Sequence, residues 1–370
     1  MNKKVEENKT LLVDGPASLT LRSGKVQVFG LQLGITQRIV IRESKRLPFE
    51  VQEEAVFEIA LGAGADLREV QGSTIPQSWK AAYVAIKEID KKPAVVVMVI
   101  GNVDSGKSSL CTYLANRLVS EKCRVAVLDE DLGQSDIGSP ATIAYAILTK
   151  PVTDLFSLEP EGGVFVGATS PAAVAEKTVE AVVSLKKEIL GGEKTVDYLV
   201  VNTDGWFAGN EAFSFKQRLA AAIEPDMVFC LEESCSATSL CAALGDALAG
   251  FRQIRADSPK EVRERDKEHR KTLRELGFAK YLASARIKVF PLNHVVVEGR
   301  ENRALIWQHQ AENLLVAFYD NQKEFLGIGV LRDVDYNRKA LKILTAIAEK
   351  PASVRFGKVR LDRDLREISN

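Results

Sequence analysis

The stretch AVVVMVIGNVDSGKSSLCTYLANRL, residues 94–118, decides the fold. It opens with an unbroken apolar, β-branched run, which predicts a strand buried on both faces. It closes with apolar residues at helical spacing. Between the two lies GNVDSGKS, which matches the pattern GxxxxGK[ST] without a gap. Such a turn lets backbone N–H groups curl around phosphates, so the stretch predicts a site for a nucleoside triphosphate.

Two side chains of this loop have specific expected partners. Lys107 is expected to reach the β- and γ-phosphates, and Ser108 is expected to place its hydroxyl on Mg²⁺. The predicted nucleotide-binding residues are Gly101, Asn102, Val103, Asp104, Ser105, Gly106, Lys107, Ser108 and Ser109. The loop alone names no reaction, because GTPases, ATPases, metal-centre chaperones and small-molecule kinases share it.

Composition sets the outer limits. The chain has 370 residues, with 50 Lys and Arg against 50 Asp and Glu, and its length predicts two or three domains. A net charge of zero does not support a broad nucleic-acid-coating surface, although it leaves a local basic groove open. No apolar run approaches the roughly 20 residues of a membrane span, and MNKKVEENKT lacks the apolar core of a signal peptide. These features predict a cytoplasmic protein without a membrane partner.

The metal- and sulfur-bearing residues are few and scattered. The five cysteines form no CxxC pair, so they are interpreted as reduced residues rather than as a disulfide set or a zinc site. The three histidines are far apart in the sequence, which argues against a histidine metal site.

The chain changes character twice. Residues 1–90 carry short alternating runs and predict an N-terminal β-rich domain. Residues 91–284 alternate strands with helices, which predicts a P-loop NTPase domain with a mostly parallel sheet. Residues 285–370 predict a C-terminal β-rich domain, in which KALKILTAIAEK is compatible with either strand or helix. The predicted fold class is therefore α/β, with the central domain flanked by two β-rich domains.

The segment DEDLGQSDIGSPAT, 129–142, follows the second predicted strand of the central domain. Asp129 and Asp131 stand where ligands bind in open α/β sheets, at the carboxyl end of a strand. One carboxylate could support Mg²⁺ and the other could accept a proton from an attacking hydroxyl. Gln134 is suited to positioning a nucleophile or a phosphate. The alternative is a lone metal-supporting Asp129 followed by a polar loop.

The segment VVNTDGWFAG, 200–209, also follows a predicted strand. It lacks the Asn-Lys-x-Asp pattern with which GTPases read guanine. Trp206 stands in a glycine-bounded loop, where it could stack on a nucleobase. The alternative is a tryptophan that covers the core.

The segment 257–282 is densely charged and is predicted to be helical throughout. Arg263, Arg265, Arg270 and Arg274 fall within it, and the last two are four residues apart on one helix face. Arginines on a mobile flap over the phosphate loop would neutralise charge on a transferring phosphoryl group. The alternative is a solvated helix with ion pairs such as Glu261–Arg265.

Together these motifs resemble the polynucleotide 5′-hydroxyl kinase family of archaea and eukaryotes. That family includes an RNA kinase subunit of the pre-mRNA 3′-end processing and tRNA-splicing machineries, and a kinase of ribosomal RNA maturation. GNVDSGKSS resembles its phosphate loop, DEDLGQSDIGSPAT its Asp-Gln motif, NTDGW its clasp, and RDKEHRKTLRELGFAKYL its lid. GATSP, 167–171, resembles the loop paired with the clasp, and Ala141 departs from the glycine common in relatives.

The resemblance assigns expected roles to individual residues. Asp131 would be the general base on the acceptor 5′-hydroxyl, Asp129 would support Mg²⁺ with Ser108, and Arg274 would hold the lid in place. The expected catalytic residues are Lys107, Asp131, Arg265 and Arg270. The expected acceptor-binding residues are Gln134, Thr169, Ser170, Thr203 and Trp206.

The implied activity is Mg²⁺-dependent transfer of the γ-phosphate of ATP, GTP or another NTP to the 5′-hydroxyl of a polynucleotide. Single-stranded RNA is the expected acceptor, with DNA also possible, and the sequence does not identify protein partners. Two alternatives stay open: an ATP-binding scaffold without turnover, and an NTPase switch.

Overall fold

The computed structural model describes residues 1–90, 93–233 and 250–368. Three sheets follow one another along the chain; the middle sheet has five neighbouring parallel strands, and the third sheet has one short parallel pair. This arrangement confirms the predicted α/β class with β-rich parts on either side. The exact domain limits, 1–90, 91–284 and 285–370, stay a prediction.

The first sheet is antiparallel and has seven strands, in the order β4-β3-β6-β2-β7 with β1 beside β6 and β5 beside β3. Its long central strands alternate buried and exposed residues, because one face packs on a core that includes Leu19, Phe49 and Phe57. The strands are β1 Asn2–Val5, β2 Lys9–Asp14, β3 Ala17–Val28, β4 Leu31–Gln32, β5 Arg38–Ile41, β6 Arg46–Leu61 and β7 Asp66–Gln71.

Helix α1, Gln77–Lys87, joins this sheet to the central one. Its Trp79 is fully buried, and its Nε1 donates a hydrogen bond of 2.9 Å to the Asp257 carbonyl. The helix that ends the N-terminal part therefore packs on the central domain.

The central sheet has the order β11-β10-β9-β12-β8-β13-β14. Five neighbouring strands from β9 to β14 run parallel, whereas β10 and β11 are antiparallel at one edge. The strands are β8 Val95–Gly101, β9 Val125–Asp129, β10 Thr142–Leu148, β11 Gly162–Phe165, β12 Tyr198–Asn202, β13 Met227–Glu232 and β14 Arg252–Asp257. The helices between them are α2 Lys107–Ser120, α3 Ala175–Gly191 and α4 Asn210–Ile223.

Strand β8 is buried along its whole length because both of its faces are covered. Val95, Val97 and Val99 join the core that contains α2 and the N-terminal sheet. Val96 and Met98 join the core beneath α3 and α4. Because β8, β9 and β12 run parallel, their carboxyl ends lie at the same edge of the sheet. The phosphate loop begins at this edge.

The predicted helix over 257–282 is too long. Asp257 ends strand β14, and helix α5 covers only Lys267–Leu282. The helix begins there because the Asp266 side chain accepts a 2.8 Å hydrogen bond from the His269 N–H, which is an N-cap. Arg263 and Arg265 therefore lie in the irregular segment before the helix.

The third sheet has the order β15-β19-β18-β17-β20-β16. Of the stretch that was compatible with strand or helix, Ala340–Thr345 forms strand β19. The elements are β15 Arg286–Pro291, β16 Val296–Val297, α6 Arg300–Trp307, β17 Leu314–Tyr319, β18 Phe325–Asp335, β19 Ala340–Thr345 and β20 Ser353–Arg360.

The cysteines differ from one another. Cys111 is a free cysteine, as predicted, but Cys230 on β13 is disulfide-bonded, so the interpretation of every cysteine as reduced is wrong. Spacing in the sequence could not show this, because a disulfide depends on which Cα atoms the fold brings close. Cys235 and Cys241 lie outside the described residues. Over the described part of the chain, no helix combines the length and apolar character that a membrane span requires.

Candidate active site

The phosphate loop connects β8 to α2 through backbone in the left-handed region. Gly106 has a φ of 99° and Asp104 a φ of 58°. Lys107 is buried, and its Nζ donates to the carbonyls of Gly101 at 2.9 Å and Asn102 at 2.6 Å. Burial lowers the pKa of Lys107 to about 8, although the nearby Asp131 carboxylate acts in the opposite direction. The loop therefore holds its lysine at the helix N-terminus.

One amide joins the two predicted metal residues. The Asn202 Nδ2 lies 2.8 Å from the Asp129 carboxylate and 3.3 Å from the Ser108 hydroxyl. Asn202 belongs to the NTDGW motif of the clasp, but no role beside the metal residues was predicted for it. Its position at the carboxyl end of a strand, next to the sheet's ligand edge, is the signal that could have identified it.

Asp129 is fully buried at the end of β9. It accepts backbone hydrogen bonds from Asp136 at 2.6 Å and from Ile137 at 3.2 Å. Burial, together with the charges of Asp136 and Asp131, raises the pKa of Asp129 to about 7. The carboxyl group is thus held rigidly and titrates close to neutrality.

Asp131 and Gln134 form the next turn and line the same pocket as Lys107 and Ser108. The Asp131 Oδ1 accepts from the backbone N–H groups of Gly133 at 3.0 Å and Gln134 at 2.8 Å. Burial raises the pKa of Asp131, as does the charge of Asp204. The Gln134 side-chain Nε2 donates to the Arg270 carbonyl at 3.1 Å, and its buried Oε1 has no hydrogen-bond partner among the described residues.

Two predicted arginines lie over the phosphate loop, Arg265 in the segment before α5 and Arg270 near the start of α5. Arg265 lines the pocket, and both Arg265 and Arg270 pair with the Asp104 carboxylate. Arg274 points elsewhere and pairs with Glu367 near the other end of the chain. The structure therefore brings Arg265 and Arg270 to the site and leaves Arg274 as an anchor of the helix.

The clasp loop lies against the phosphate loop, but its predicted side chains do not line the pocket. The Thr203 hydroxyl is buried and donates to the Val99 carbonyl at 2.8 Å. Trp206 is half-buried, with its ring 5.9 Å from that of Phe215. A Cβ on Gly205 would lie 2.6 Å from the backbone nitrogen of Val103, so only glycine permits this approach.

A buried charge cluster supports the clasp and was not predicted. Lys216 on α4 pairs with Asp204 and lies 3.6 Å from a Glu130 carboxylate oxygen. The Asp204 Oδ1 accepts from the Trp206 N–H at 2.5 Å, and the Asp204 N–H donates to Glu130 at 2.9 Å. All three charged residues are buried, so the cluster fixes the clasp backbone from below. Lys216 was not predicted, because it lies on helix α4, outside the motifs that contain Asp204 and Glu130.

The loop paired with the clasp touches the Asp131 turn. A Cβ on Gly133 would lie 2.9 Å from the Thr169 carbonyl oxygen. The exposed Ser170 caps the short 3₁₀ turn Pro171–Ala173 through a contact of 3.5 Å to the Ala172 N–H. Neither Thr169 nor Ser170 lines the pocket, and their acceptor role stays a prediction.

Residues of the N-terminal part complete the pocket, and none of them was predicted individually. Leu12, Pro48 and Ile75 line its apolar side. Several basic residues line the remainder: Arg42, Lys45, Arg46, Arg263 and Arg265. Arg42 pairs with Asp136 and, at 2.9 Å, with Asp154, so the N-terminal part is tied to the turn that supports Asp129.

The donor set at this edge suits a hard cation only in part. Within the described ranges, no cluster of three or more His, Cys, Asp or Glu residues could hold a metal ion by itself. Ser108 and Asp129 contribute oxygen atoms of the kind that Mg²⁺ prefers, and Mg²⁺ commonly completes its shell with phosphates and water. The arrangement fits a metal that arrives with a nucleotide.

A gap-free phosphate loop, carboxylates at neighbouring strand ends and an arginine-bearing lid define a P-loop nucleotide-binding protein. The family model of the mRNA cleavage and polyadenylation factor CLP1 P-loop matches residues 101–284. The chain belongs to this family, which confirms the resemblance predicted from its motifs.

Curated relatives match most of the chain. A protein of Pyrococcus furiosus named polyribonucleotide 5′-hydroxyl-kinase is 27% identical, over 77% of this chain and 93% of the relative. A protein of the same name from Methanocaldococcus jannaschii is 25% identical, over 80% of this chain and 94% of the relative. A CLP1 homolog from Culex quinquefasciatus is 25% identical, over 74% of this chain and 66% of the relative.

Solved structures show the same fold. A chain from a structure of the interface between Pcf11p and Clp1p has a TM-score of 0.79 with 12% identity, covering 97% of this chain and 98% of that chain. A wild-type Clp1p–Pcf11p complex gives a TM-score of 0.77, also with 12% identity, covering 97% of each chain. At this identity the likeness concerns the fold alone.

Proposed function

We propose that the protein transfers the γ-phosphate of ATP, or of another NTP, to the 5′-hydroxyl end of a polynucleotide. The observation that carries the proposal is the convergence of Lys107, Asp131 and Gln134 on one pocket below Arg265. The relatives named polyribonucleotide 5′-hydroxyl-kinase support the same reaction class. RNA is the proposed acceptor, and DNA is a second one.

The reaction needs a base, charge neutralisation and alignment. The acceptor oxygen forms a bond to the γ-phosphorus, the bond to the β-phosphate oxygen breaks, and the acceptor proton passes to the Asp131 carboxylate. A raised pKa makes this carboxylate a stronger base than an exposed aspartate. Lys107, Arg265 and Arg270 would stabilise the negative charge that develops on the phosphoryl oxygens.

Mg²⁺ is the proposed metal cofactor, and Ser108 and Asp129 are the residues proposed to hold it. Bound there with a nucleotide, Mg²⁺ would supply charge neutralisation at the phosphate oxygens. The Asn202 amide would orient both protein oxygens, because it already contacts the Ser108 hydroxyl and the Asp129 carboxylate.

Acceptor recognition is proposed to involve few nucleotides. Within the described ranges the buried Gln134 Oε1 accepts no hydrogen bond, which leaves it available to a ligand that donates one. Trp206 would stack on the terminal base after the clasp opens from its contact with Phe215. A cytoplasmic location stays part of this proposal.

A transfer assay tests the proposal directly. The protein is incubated with γ-labelled ATP, Mg²⁺ and a short RNA that bears a 5′-hydroxyl, beside the same RNA already phosphorylated at its 5′ end. We expect label only on the hydroxyl RNA, and we expect Asp131→Asn to bind ATP without transferring phosphate. Tight ATP binding without labelled RNA would indicate a scaffold, and free phosphate without labelled RNA would indicate an NTPase switch. Either result would overturn the proposed reaction.

A further inference from the structure

We infer that Asp104 is a positioning residue that docks the lid arginines over the phosphate site. The inference rests on the proposed function and concerns how that site is assembled. Asp104 belongs to the phosphate loop itself, where a negative side chain is unfavourable beside an anionic ligand. We therefore expect the Asp104 carboxylate to be paired with a hydrogen-bond donor or a cation of the protein.

That partner is the segment that leads into α5. The Asp104 Oδ2 accepts a 3.0 Å hydrogen bond from the backbone N–H of Arg265. Its Oδ1 accepts a second hydrogen bond of 3.2 Å from the Arg265 guanidinium. The Arg270 guanidinium lies 3.8 Å from Oδ2 and donates to the Arg265 carbonyl at 2.5 Å. One carboxylate thus orders the backbone and both cationic side chains.

The backbone of the phosphate loop aims the carboxylate at the lid. Asp104 has a φ of 58°, a left-handed conformation that aspartate and asparagine tolerate better than most residues. Only 11% of its side chain is exposed. The side chain is therefore enclosed between the loop and the lid rather than solvated.

The Arg265 Nε also donates to the Ser44 carbonyl at 3.2 Å, so Asp104 shares this guanidinium with the N-terminal part, whereas the remaining contacts lie farther along the lid. Arg274 pairs with Glu367, and the Tyr281 hydroxyl donates to the Ile137 carbonyl, so the middle and the end of α5 are fixed elsewhere. Across the part of the chain that the structure describes, Asp104 is the carboxylate that pairs with Arg265 and Arg270.

These contacts predict two roles for Asp104, one toward the lid backbone and one toward the arginine side chains. The bond from the Arg265 N–H holds the lid backbone to the loop, while the Arg265 guanidinium lines the pocket proposed to hold the phosphates and the Arg270 guanidinium donates to the Arg265 carbonyl beside it. Preorganised donors lose less freedom when the transition state forms, so Asp104 is expected to act on the transfer step rather than on nucleotide affinity.

The test uses Asp104→Asn and Asp104→Gly, both of which keep the left-handed backbone accessible. We expect kcat for RNA phosphorylation to fall about 10- to 100-fold, as when a supporting partner of a functional group is lost. ATP affinity is expected to stay equal or to become tighter, because a negative charge near the phosphates is removed. Hydrogen exchange of the backbone at 264–270 is expected to accelerate in both variants.

A second background separates positioning from a fault in the loop. In Arg265→Met/Arg270→Met, we expect Asp104→Asn to cause no further loss of kcat, because the two guanidinium groups that Asp104 orients are already absent and only its contact with the backbone N–H at position 265 remains. The inference would be overturned if Asp104→Asn lowered kcat equally in that background. It would also be overturned if the single Asp104 variants kept wild-type kcat and wild-type hydrogen exchange, or if they bound ATP more weakly. The exchange measurement needs no turnover, so it decides the docking role even if wild-type protein fails to phosphorylate RNA.

Discussion

The guanidinium of Arg274 on α5 pairs with the Glu367 carboxylate through two contacts, 2.5 Å from Nε and 2.7 Å from Nη2. Both side chains are largely buried. A residue near the end of the chain thus anchors the helix that leads out of the lid. A bidentate pair between arginine and a carboxylate fixes the orientation of both side chains and also stabilises their contact.

Arg274→Gln is expected to slow phosphate transfer and leave ATP binding intact. Loss of the pair costs on the order of 1 kcal/mol of lid docking, which is roughly a 5-fold change in rate. Steady-state transfer and the proteolysis rate of 258–274 measure the effect. Glu367→Gln should behave alike, whereas the exposed control Arg338→Gln should not. Transfer and proteolysis rates equal to those of the wild type would remove the anchoring role.

Lys216→Met is expected to destabilise the protein by about 3–5 kcal/mol, because it leaves the carboxylates of Asp204 and Glu130 buried without a counter-charge. Urea unfolding measures the change. The triple variant that also carries Glu130→Gln and Asp204→Asn removes all of the charges and should recover most of the lost stability. A single variant with the wild-type unfolding midpoint would show that the cluster is not energetically important.

Gly205→Ala is expected to weaken ATP binding, because the new Cβ would meet the backbone of Val103 at 2.6 Å. The phosphate loop would have to move, since backbone cannot yield as a flexible side chain does. Equilibrium ATP titration measures the loss. Gly191→Ala is the matched control, because a Cβ there meets nothing within 4 Å. Equal ATP affinity in both variants would contradict the close approach.

We expect the Asp129 carboxyl to make the free energy of unfolding depend on pH in protein without nucleotide or metal. Its pKa is about 7 in the folded protein against 3.8 ordinarily, so between these values the folded state binds the extra proton. The contribution of this group to the free energy of unfolding therefore decreases as pH rises from about 4 to 7. Urea midpoints at several pH values should show a flatter profile for Asp129→Asn than for wild type. Asp364→Asn, at an exposed position, should keep the wild-type profile, and parallel profiles for all three proteins would refute the assignment.

Trp206→Ala is expected to raise the KM for the acceptor RNA by the loss of one stacking contact, roughly 1–3 kcal/mol. Because Trp206 also packs beside Phe215, thermal stability should decline as well. Steady-state kinetics at saturating ATP, with a melting curve, separate the two effects. Phe215→Leu is the control for packing alone. A lower melting temperature with an unchanged acceptor KM would return Trp206 to a purely structural role.

The motifs local in sequence were predictable, because their geometry depends on adjacent residues. GNVDSGKS required only a strand, a glycine turn and a helix, and the structure has β8, the loop and α2 in that order. Asp129 and Asp131 were placed at the edge of the sheet because the end of a parallel strand marks that edge. The start of helix α5 was not predicted. The N-cap Asp266 lies within a long run of charged residues, so the sequence pattern does not distinguish it from its neighbours.

The amino-acid sequence by itself determined the P-loop class, the α/β order of the central part and the position of the phosphate loop between β8 and α2. Only the tertiary structure decided that Asn202 joins Ser108 to Asp129, that Lys216 supports the clasp, and that Asp104 faces Arg265. These partners are 12 to 161 residues apart in the chain. Spacing along a sequence indicates which side chains share a strand or a helix face, whereas contacts between elements arise from how the sheet and its helices pack.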